Sequence, residues 1–331
     1  MKDLLYHMFE HGNLSRAEAR DVMHNIADGR YNDCQLAAFM TVFLMRSITT
    51  DELTGFRDAI LDRRHPVDLD NVEAIDIVGT GGDGKNTFNI STASCFVVAG
   101  AGRKVVKHGN YGASSVSGAS NVLEYHGVKL TSDTDKLARS LDKSGVCYLH
   151  APFFSPALKS VATARKSLAV RTFFNMLGPL VNPVQPKHQL LGVYSLKLMR
   201  LYSYIAQNEG IACTVVHSLD GYDEISLTAP FKISGSAGER IYTPDDLGWN
   251  TATQNELRGG ETIADAAAIF DAVLDGKATQ AQENCVIANS AFSLITLDPK
   301  LSIEEASDIA CESIHSGAAR KVFNKFCEIN R

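Results

Sequence analysis

From residue 74 onward, short runs rich in β-branched residues alternate with helical segments, and no other feature constrains the fold as tightly. The runs are "AIDIVGT", "KVVKHGN", "VCYLHA", "QLLGVYS" and "CTVVHSL", with helix-like segments such as "TASCFVVAGAG" and "ASNVLEYHG" between them. Strand then helix, repeated, predicts a parallel sheet with helical crossovers, and ligands of such sheets bind at the carboxyl ends of the strands. The segments "IADAAAIFDAVLDG", "QAQENCVIANSAFSLI", "SIEEASDIACESIHSG" and "AARKVFNKFCEI" predict four further helices.

Residues before the first run read as helices only. Ser15 and Glu18 form a capping-box pattern ahead of "RAEARDVMHNIADG", and "TTDELTGFRDAILDRR" opens on a Thr/Asp cap and closes on two arginines. "DCQLAAFMTVFLMRS" is apolar nearly all round and is expected to be buried, in part against another subunit. "HPVDLDN" reads as a linker. The expected fold class is therefore α/β: a small all-helical domain over residues 1–66 and a larger α/β domain with a mainly parallel central sheet over residues 74–331. A length of 331 residues suits two domains.

Composition narrows the function. A net charge of −6 without a basic run argues against nucleic acid or an anionic membrane as the main partner. The seven cysteines include no C-x-x-C pair and read as reduced thiols of a cytoplasmic protein. No apolar run approaches the roughly 20 residues of a membrane span, and the N-terminal stretch carries acids too early for a signal peptide.

The chemistry concentrates at the first strand end, "VGTGGDGKNTFNIST". Gly79, Gly84 and Lys85 match the start of a P-loop, but Asn86 stands where that loop needs Ser or Thr for Mg²⁺, and Asp83 sits inside the cradle. Gly79, Gly81 and Gly84 match the dinucleotide fingerprint, but the second strand ends on Lys107 and His108 where an acidic residue is needed. A purely structural glycine turn is the remaining simple reading. Against it, Asn89, Ser91 and Thr92 form a polar start to the next helix, suited to an anion. The second strand then delivers "KHGNYGASSVSG", so two successive loops offer backbone donors, hydroxyls and Lys107 to one place. A polyphosphate is a plausible occupant, with a cation beside Asp83. Asp223 and Glu224 in "LDGYDEISLT" are hard oxygen ligands suited to Mg²⁺, although an acidic pair alone can equally mark a solvated turn.

Four segments in order, GTGGDG–TFNIST, KHGN–SG–NVLE–GV, RTFFNMLGPLVNP and GYDEISLT, resemble anthranilate phosphoribosyltransferases over nearly the whole chain. The resemblance implies a nucleoside phosphorylase/phosphoribosyltransferase-like fold, its helical domain completed by helices from about residues 155–185. It implies a homodimer formed through that domain, and transfer of phosphoribose from phosphoribosyl pyrophosphate to anthranilate in tryptophan biosynthesis. It places Gly79, Gly82, Asp83, Thr87, Asn89, Ile90, Ser91 and Thr92 at the phosphoribosyl pyrophosphate site. Lys107, His108, Gly109, Asn110, Tyr111, Gly112, Ala113, Ser114, Ser115 and Ala119 join them. Ser91, Asp223 and Glu224 match the Mg²⁺ positions, and Gly79, Asn110 and Arg165 the anthranilate contacts. An arginine fork suits the anthranilate carboxylate, whereas Arg165 taken alone reads as a surface helix arginine. No catalytic base is expected, because the aniline amine is neutral at pH 7; His108 reads as structural or phosphate-adjacent.

This chain departs from the family at Tyr111 (usually Arg), at Ala119, Ser120 and Asn121 in place of Ser/Thr-Ala-Asp, at Ser155 in place of His, and in "GGETIADAA". Two other readings stay open: a pyrimidine nucleoside phosphorylase-like enzyme, and a non-catalytic nucleotide sensor of the same fold.

Overall fold

The computed structural model describes residues 1–69, 72–112 and 115–331. Asp70 and Asn71, at the end of the linker segment, and Ala113 and Ser114, in the loop after the second strand, lie outside the described residues. The chain divides into two compact units: Met1–Val67 with Ala151–Pro183, and Asp68–His150 with Val184–Arg331.

The smaller unit is helical. Its helices Arg16–Ala27, Asp33–Met45 and Thr50–Asp62 each begin at a capping box, on Ser15, Asn32 and Thr49, so local hydrogen bonding defines their starts. Gly55 lets the third close on the first, because a Cβ there would meet the Arg16 carbonyl. Across that contact Arg16 pairs with Asp58 at 2.6 Å and Arg20 with Asp62 at 2.7 Å. Phe39, Phe43, Phe56 and Phe173 pack ring on ring in the core, Phe56 and Phe173 stacked at 4.7 Å.

The larger unit is built on a seven-stranded sheet: β1 Ala74–Gly79, β2 Lys104–Gly109, β3 Val146–His150, β4 His188–Gly192, β5 Ala212–Ser218, β6 Phe231–Gly235 and β7 Gly238–Tyr242. The order is β3-β2-β1-β4-β5-β6-β7, parallel through the first five and antiparallel across the last two pairings. All five strands read from the sequence are present. The β6–β7 hairpin is additional: β7 is an edge strand exposed over Gly238–Ile241, and so lacks the buried apolar alternation that marks a strand. Helix Ile90–Gly100 is apolar all round and buried, with Phe96 among Phe270, Phe323 and Phe326. The helices Ile263–Leu274, Gln280–Leu297, Ile303–His315 and Ala318–Asn330 lie where the sequence places them. All seven cysteines are free, and burial pushes the Cys95 thiol up to about 12, which makes it an inert core residue. Among the described residues no helix is long and apolar enough to cross a membrane.

The strand order reverses direction between β1 and β4, since β1 leads on to β2 on one side and β4 to β5 on the other. Such a switch point leaves a crevice at the carboxyl ends of the strands.

Candidate active site

The crevice is built from glycines. Gly79 and Gly192 end β1 and β4 and pair with each other across the sheet. A Cβ on Gly79 would run into the Asp223 carboxylate, and one on Gly192 into the Asp223 backbone carbonyl. Only glycine at both places lets the loop after β5 lie across the strand ends. Gly81, Gly82 and Gly84 all have positive φ, which turns the loop after β1 back over the same point. Gly81 N–H donates to Asp223 Oδ2 at 2.5 Å.

Three carboxylates from two loops therefore converge: Asp83, Asp223 and Glu224. Burial pushes all of them up, Asp223 well above its ordinary value and Glu224 to about 7; the charge of Asp83 adds to the rise at both Asp223 and Glu224, and that of Glu224 to the rise at Asp223. Asp83 accepts the Lys85 N–H on Oδ1 at 3.0 Å, while its buried Oδ2 accepts no hydrogen bond from a described residue. The buried Lys107 donates to the Ile77 carbonyl at 2.6 Å and to Ser91 Oγ at 3.4 Å, and its charge partly offsets the rise at Glu224. Ser91 hydrogen-bonds the Glu224 carboxylate through both side chain and backbone. Among the described residues no three His, Cys, Asp or Glu side chains enclose a metal by themselves. Mg²⁺ takes one or two protein carboxylates and completes its octahedron with water and phosphate oxygens. An unpaired Asp83 oxygen beside two acids whose charged forms are disfavoured fits a hard cation.

Helix Ile90–Gly100 points its N terminus into this region without a side-chain cap. Its N-cap residue Asn89 instead donates to the Ser117 carbonyl at 3.1 Å, tying the helix start to the loop after β2. Asn89, Ile90, Ser91 and Thr92 thus offer a first turn suited to an anion. Thr87 bridges to Arg258, and Phe88 N–H donates to Leu257 O at 3.1 Å. Asn86 is a site-building residue that sequence reasoning missed. Its Oδ1 accepts Val116 N–H at 2.9 Å, its Nδ2 donates to Gly260 O at 2.8 Å, and its carbonyl accepts Gly259 N–H at 2.7 Å. One residue thus fastens three loops. The signal was its position after Gly84-Lys85, where the P-loop pattern counts it only as a mismatch.

In the loop after β2, His108 is buried and donates its backbone N–H to Asp76 at 3.2 Å, a structural placement. Gly109 pairs with His150, and a Cβ on it would press on the Tyr148 hydroxyl. Asn110 O accepts Ser120 N–H at 3.2 Å. Gly112 and Gly118 donate their N–H groups to Asn121 Oδ1 at 3.0 and 2.9 Å, so the amide oxygen does here what a carboxylate could do. Ser115 Oγ donates to Ser117 O. Ala119 opens helix Ala119–Tyr125. Ser120 does not replace the hydroxyl missing at Ala119. It is fully buried, bonded to Tyr148 at 2.6 Å and His150 at 2.8 Å. Tyr111 packs its ring on His150 at 5.0 Å and donates to Glu124 at 3.1 Å. Ala113 and Ser114 lie outside the described residues.

Arg165 belongs to the smaller unit, in helix Ala162–Leu168. It is half-buried, its guanidinium 5.5 Å over the Phe174 ring, and burial alone lowers its pKa, without a carboxylate partner among the described residues. Ser155, in the same unit, is buried with an Oγ that bonds no described residue.

A switch-point crevice that suits a cation and an anion side by side fits an enzyme that handles a metal-bound polyphosphate. Residues 2–64 match the glycosyl transferase family, helical bundle domain, and residues 71–320 the glycosyl transferase family, a/b domain; the chain belongs to this family. It is 62% identical, over 100% of both chains, to an anthranilate phosphoribosyltransferase of Bacteroides fragilis (strain YCH46). The crystal structure of anthranilate phosphoribosyltransferase (TrpD) from Thermus thermophilus superposes with a TM-score of 0.91 at 29% identity, covering 99% of each chain. The Saccharomyces cerevisiae enzyme in complex with PRPP and Mg gives 0.88 at 27% identity, over 96% of this chain and 93% of that one. Within the family, the chain therefore falls among the anthranilate phosphoribosyltransferases.

Proposed function

We propose that the chain transfers the phosphoribosyl group of 5-phosphoribosyl 1-pyrophosphate to the amine of anthranilate. The products are N-(5-phosphoribosyl)anthranilate and pyrophosphate, in tryptophan biosynthesis in the cytoplasm. The observation that carries this reading is the group of three carboxylates, Asp223 buried and Asp83 and Glu224 half-buried, lying beside an uncapped helix N terminus. A phosphorylase, with one phosphate as nucleophile, has no use for that acidic group.

In the reaction the C1–O bond to pyrophosphate breaks, a C1–N bond forms, and the amine loses a proton to solvent or to the departing pyrophosphate. Positive charge develops on the ribosyl carbon, as in glycoside cleavage. Ser91, Asp223 and Glu224 would hold Mg²⁺. When bound, Mg²⁺ neutralises charge on the leaving group. Gly79, Gly82, Asp83, Thr87 and Asn89–Thr92 bind the donor with backbone N–H groups and hydroxyls. Lys107–Ser115 and Ala119 bind it from the second loop. Lys107, locked between Ile77 and Ser91, supplies fixed positive charge. Arg165 takes the anthranilate carboxylate, its missing anion, while Gly79 and Asn110 are assigned to the same substrate. No residue is assigned as base. Mixing the protein with anthranilate should quench anthranilate fluorescence only when donor and Mg²⁺ are both present; decay without donor would refute the reading.

The protein is further proposed to act as a homodimer through the helical unit. Helices Lys2–Phe9 and Asp33–Met45 leave Tyr6, Phe9, Leu44 and Met45 exposed, Met45 to 84%. Sedimentation at micromolar concentration should give a dimer; a monomer contradicts the assignment.

A further inference from the structure

We propose that Lys85 is a positioning residue whose ammonium, seated on the Tyr222 ring, latches the glycine loop to the metal-binding loop and so sets the affinity for Mg²⁺-bound donor. The proposal rests on the donor-site reading above and goes beyond it, since Lys85 itself has no assigned contact.

Asp83 needs an outside constraint to stay beside Asp223 and Glu224. It is flanked by Gly82 and Gly84, both at positive φ, and glycine gives up more conformational freedom on ordering than any other residue. On either side of Asp83 the segment is fastened to the loop after β5. On one side Gly81 N–H donates to Asp223 at 2.5 Å. On the other, Lys85 Nζ lies 4.6 Å from the Tyr222 ring centroid. Between these anchors Lys85 N–H also donates to Asp83 Oδ1 at 3.0 Å, so a shift of Lys85 is transmitted directly to the carboxylate. Tyr222 is 2% exposed, and Ser218 N–H donates to its carbonyl at 3.2 Å, so the ring is a fixed platform adjoining Asp223 in the chain. Lys85 is half-buried and forms no salt bridge among the described residues. Its ammonium rests on the ring and its charge partly offsets the rise at Asp83.

The test compares Lys85→Met, Lys85→Arg, Tyr222→Leu and the Lys85→Met/Tyr222→Leu double variant with the parent. Calorimetric titration with phosphoribosyl pyrophosphate and Mg²⁺ gives donor affinity, and amide exchange of Gly81–Lys85 in the unliganded protein reports the loop. Loss of a cation–π latch should weaken donor binding about 3- to 30-fold in Lys85→Met. Exchange of the loop amides should quicken, and kcat should fall far less than donor KM rises. Lys85→Arg, which can also cover a ring, should restore affinity to within about twofold. Lys85→Met should add nothing on the Tyr222→Leu background. Parent-like donor affinity in Lys85→Met overturns the latch. So does an equal further loss on the Tyr222→Leu background, which would mean that Lys85 touches the donor directly. Lys85 is partly exposed, so its variants are expected to fold, and parent-like melting of Lys85→Met checks this. A parent that binds no donor would overturn the donor-site reading, and the latch with it; a parent that binds while Lys85→Met binds equally well overturns the latch alone.

Discussion

Glu224→Gln is expected to lose about 100-fold or more of turnover at limiting Mg²⁺, by analogy with removal of one charge-stabilising group from an active site, and at the same time to make the metal-free protein more stable at alkaline pH. Both effects come from one cause. Burial raises the Glu224 carboxyl from 4.5 to about 7, so the fold holds its proton more tightly than the unfolded chain does. For a group raised in this way, the stability it supports is complete below the unfolded value of 4.5 and is lost as pH rises through about 7. Above that range the parent carries a charge its fold disfavours, at a cost on the order of 1–3 kcal/mol. Glutamine keeps the shape and removes the charge. Melting temperatures of parent and variant, measured without metal, should therefore coincide near pH 5 and diverge near pH 8, with the variant higher. Mg²⁺ should raise the parent's melting temperature more at pH 8 than at pH 6, since protons compete for the same oxygens. Asp223→Asn should likewise lose turnover, while Gly81 keeps an acceptor for its N–H. Near-normal turnover in either variant at limiting Mg²⁺ would remove these residues from the metal site.

Arg165→Ala should separate the two substrates. The half-buried guanidinium has the Phe174 ring beneath it and no anionic partner among the described residues. A hydrogen bond to a charged group contributes about 1.5–3 kcal/mol, so anthranilate binding should weaken roughly 10- to 150-fold. Donor binding should change little. Lys107→Ala should show the reverse bias, because Lys107 is locked to Ile77 and Ser91 at the donor loops. Calorimetry with each substrate decides the matter. Equal losses for donor and acceptor in Arg165→Ala would place that residue outside the acceptor site.

Much of this was legible in the chain, for physical reasons that differ from element to element. The five parallel strands announce themselves because both sheet faces are covered, which makes each a nearly continuous apolar run, as in Val146–His150. The helix starts at Ser15, Thr49, Thr279 and Ser302 are written in local capping chemistry. The hairpin β6–β7 was not legible, because an exposed edge strand carries no buried alternation. At the site, residue types alone suggested a cation near Asp83 and an anion near Ser91. That Asp223 packs against Gly79 and Gly192 depends on the pairing of β1 with β4, a long-range event that local sequence cannot encode. The same holds for Asn86, which reaches Val116 and Gly260, and for Ser120, whose hydroxyl is turned inward to Tyr148 and His150.

The most direct test of the central assignment is a stoichiometric one. Purified protein, anthranilate, phosphoribosyl pyrophosphate and Mg²⁺ are combined, and anthranilate loss is followed by fluorescence while released pyrophosphate is measured in the same sample. The account predicts one pyrophosphate per anthranilate consumed, a product with the mass of N-(5-phosphoribosyl)anthranilate, and arrest on chelation of Mg²⁺. Pyrophosphate release without anthranilate loss, or cleavage of a nucleoside by inorganic phosphate with no transfer to anthranilate, would contradict it.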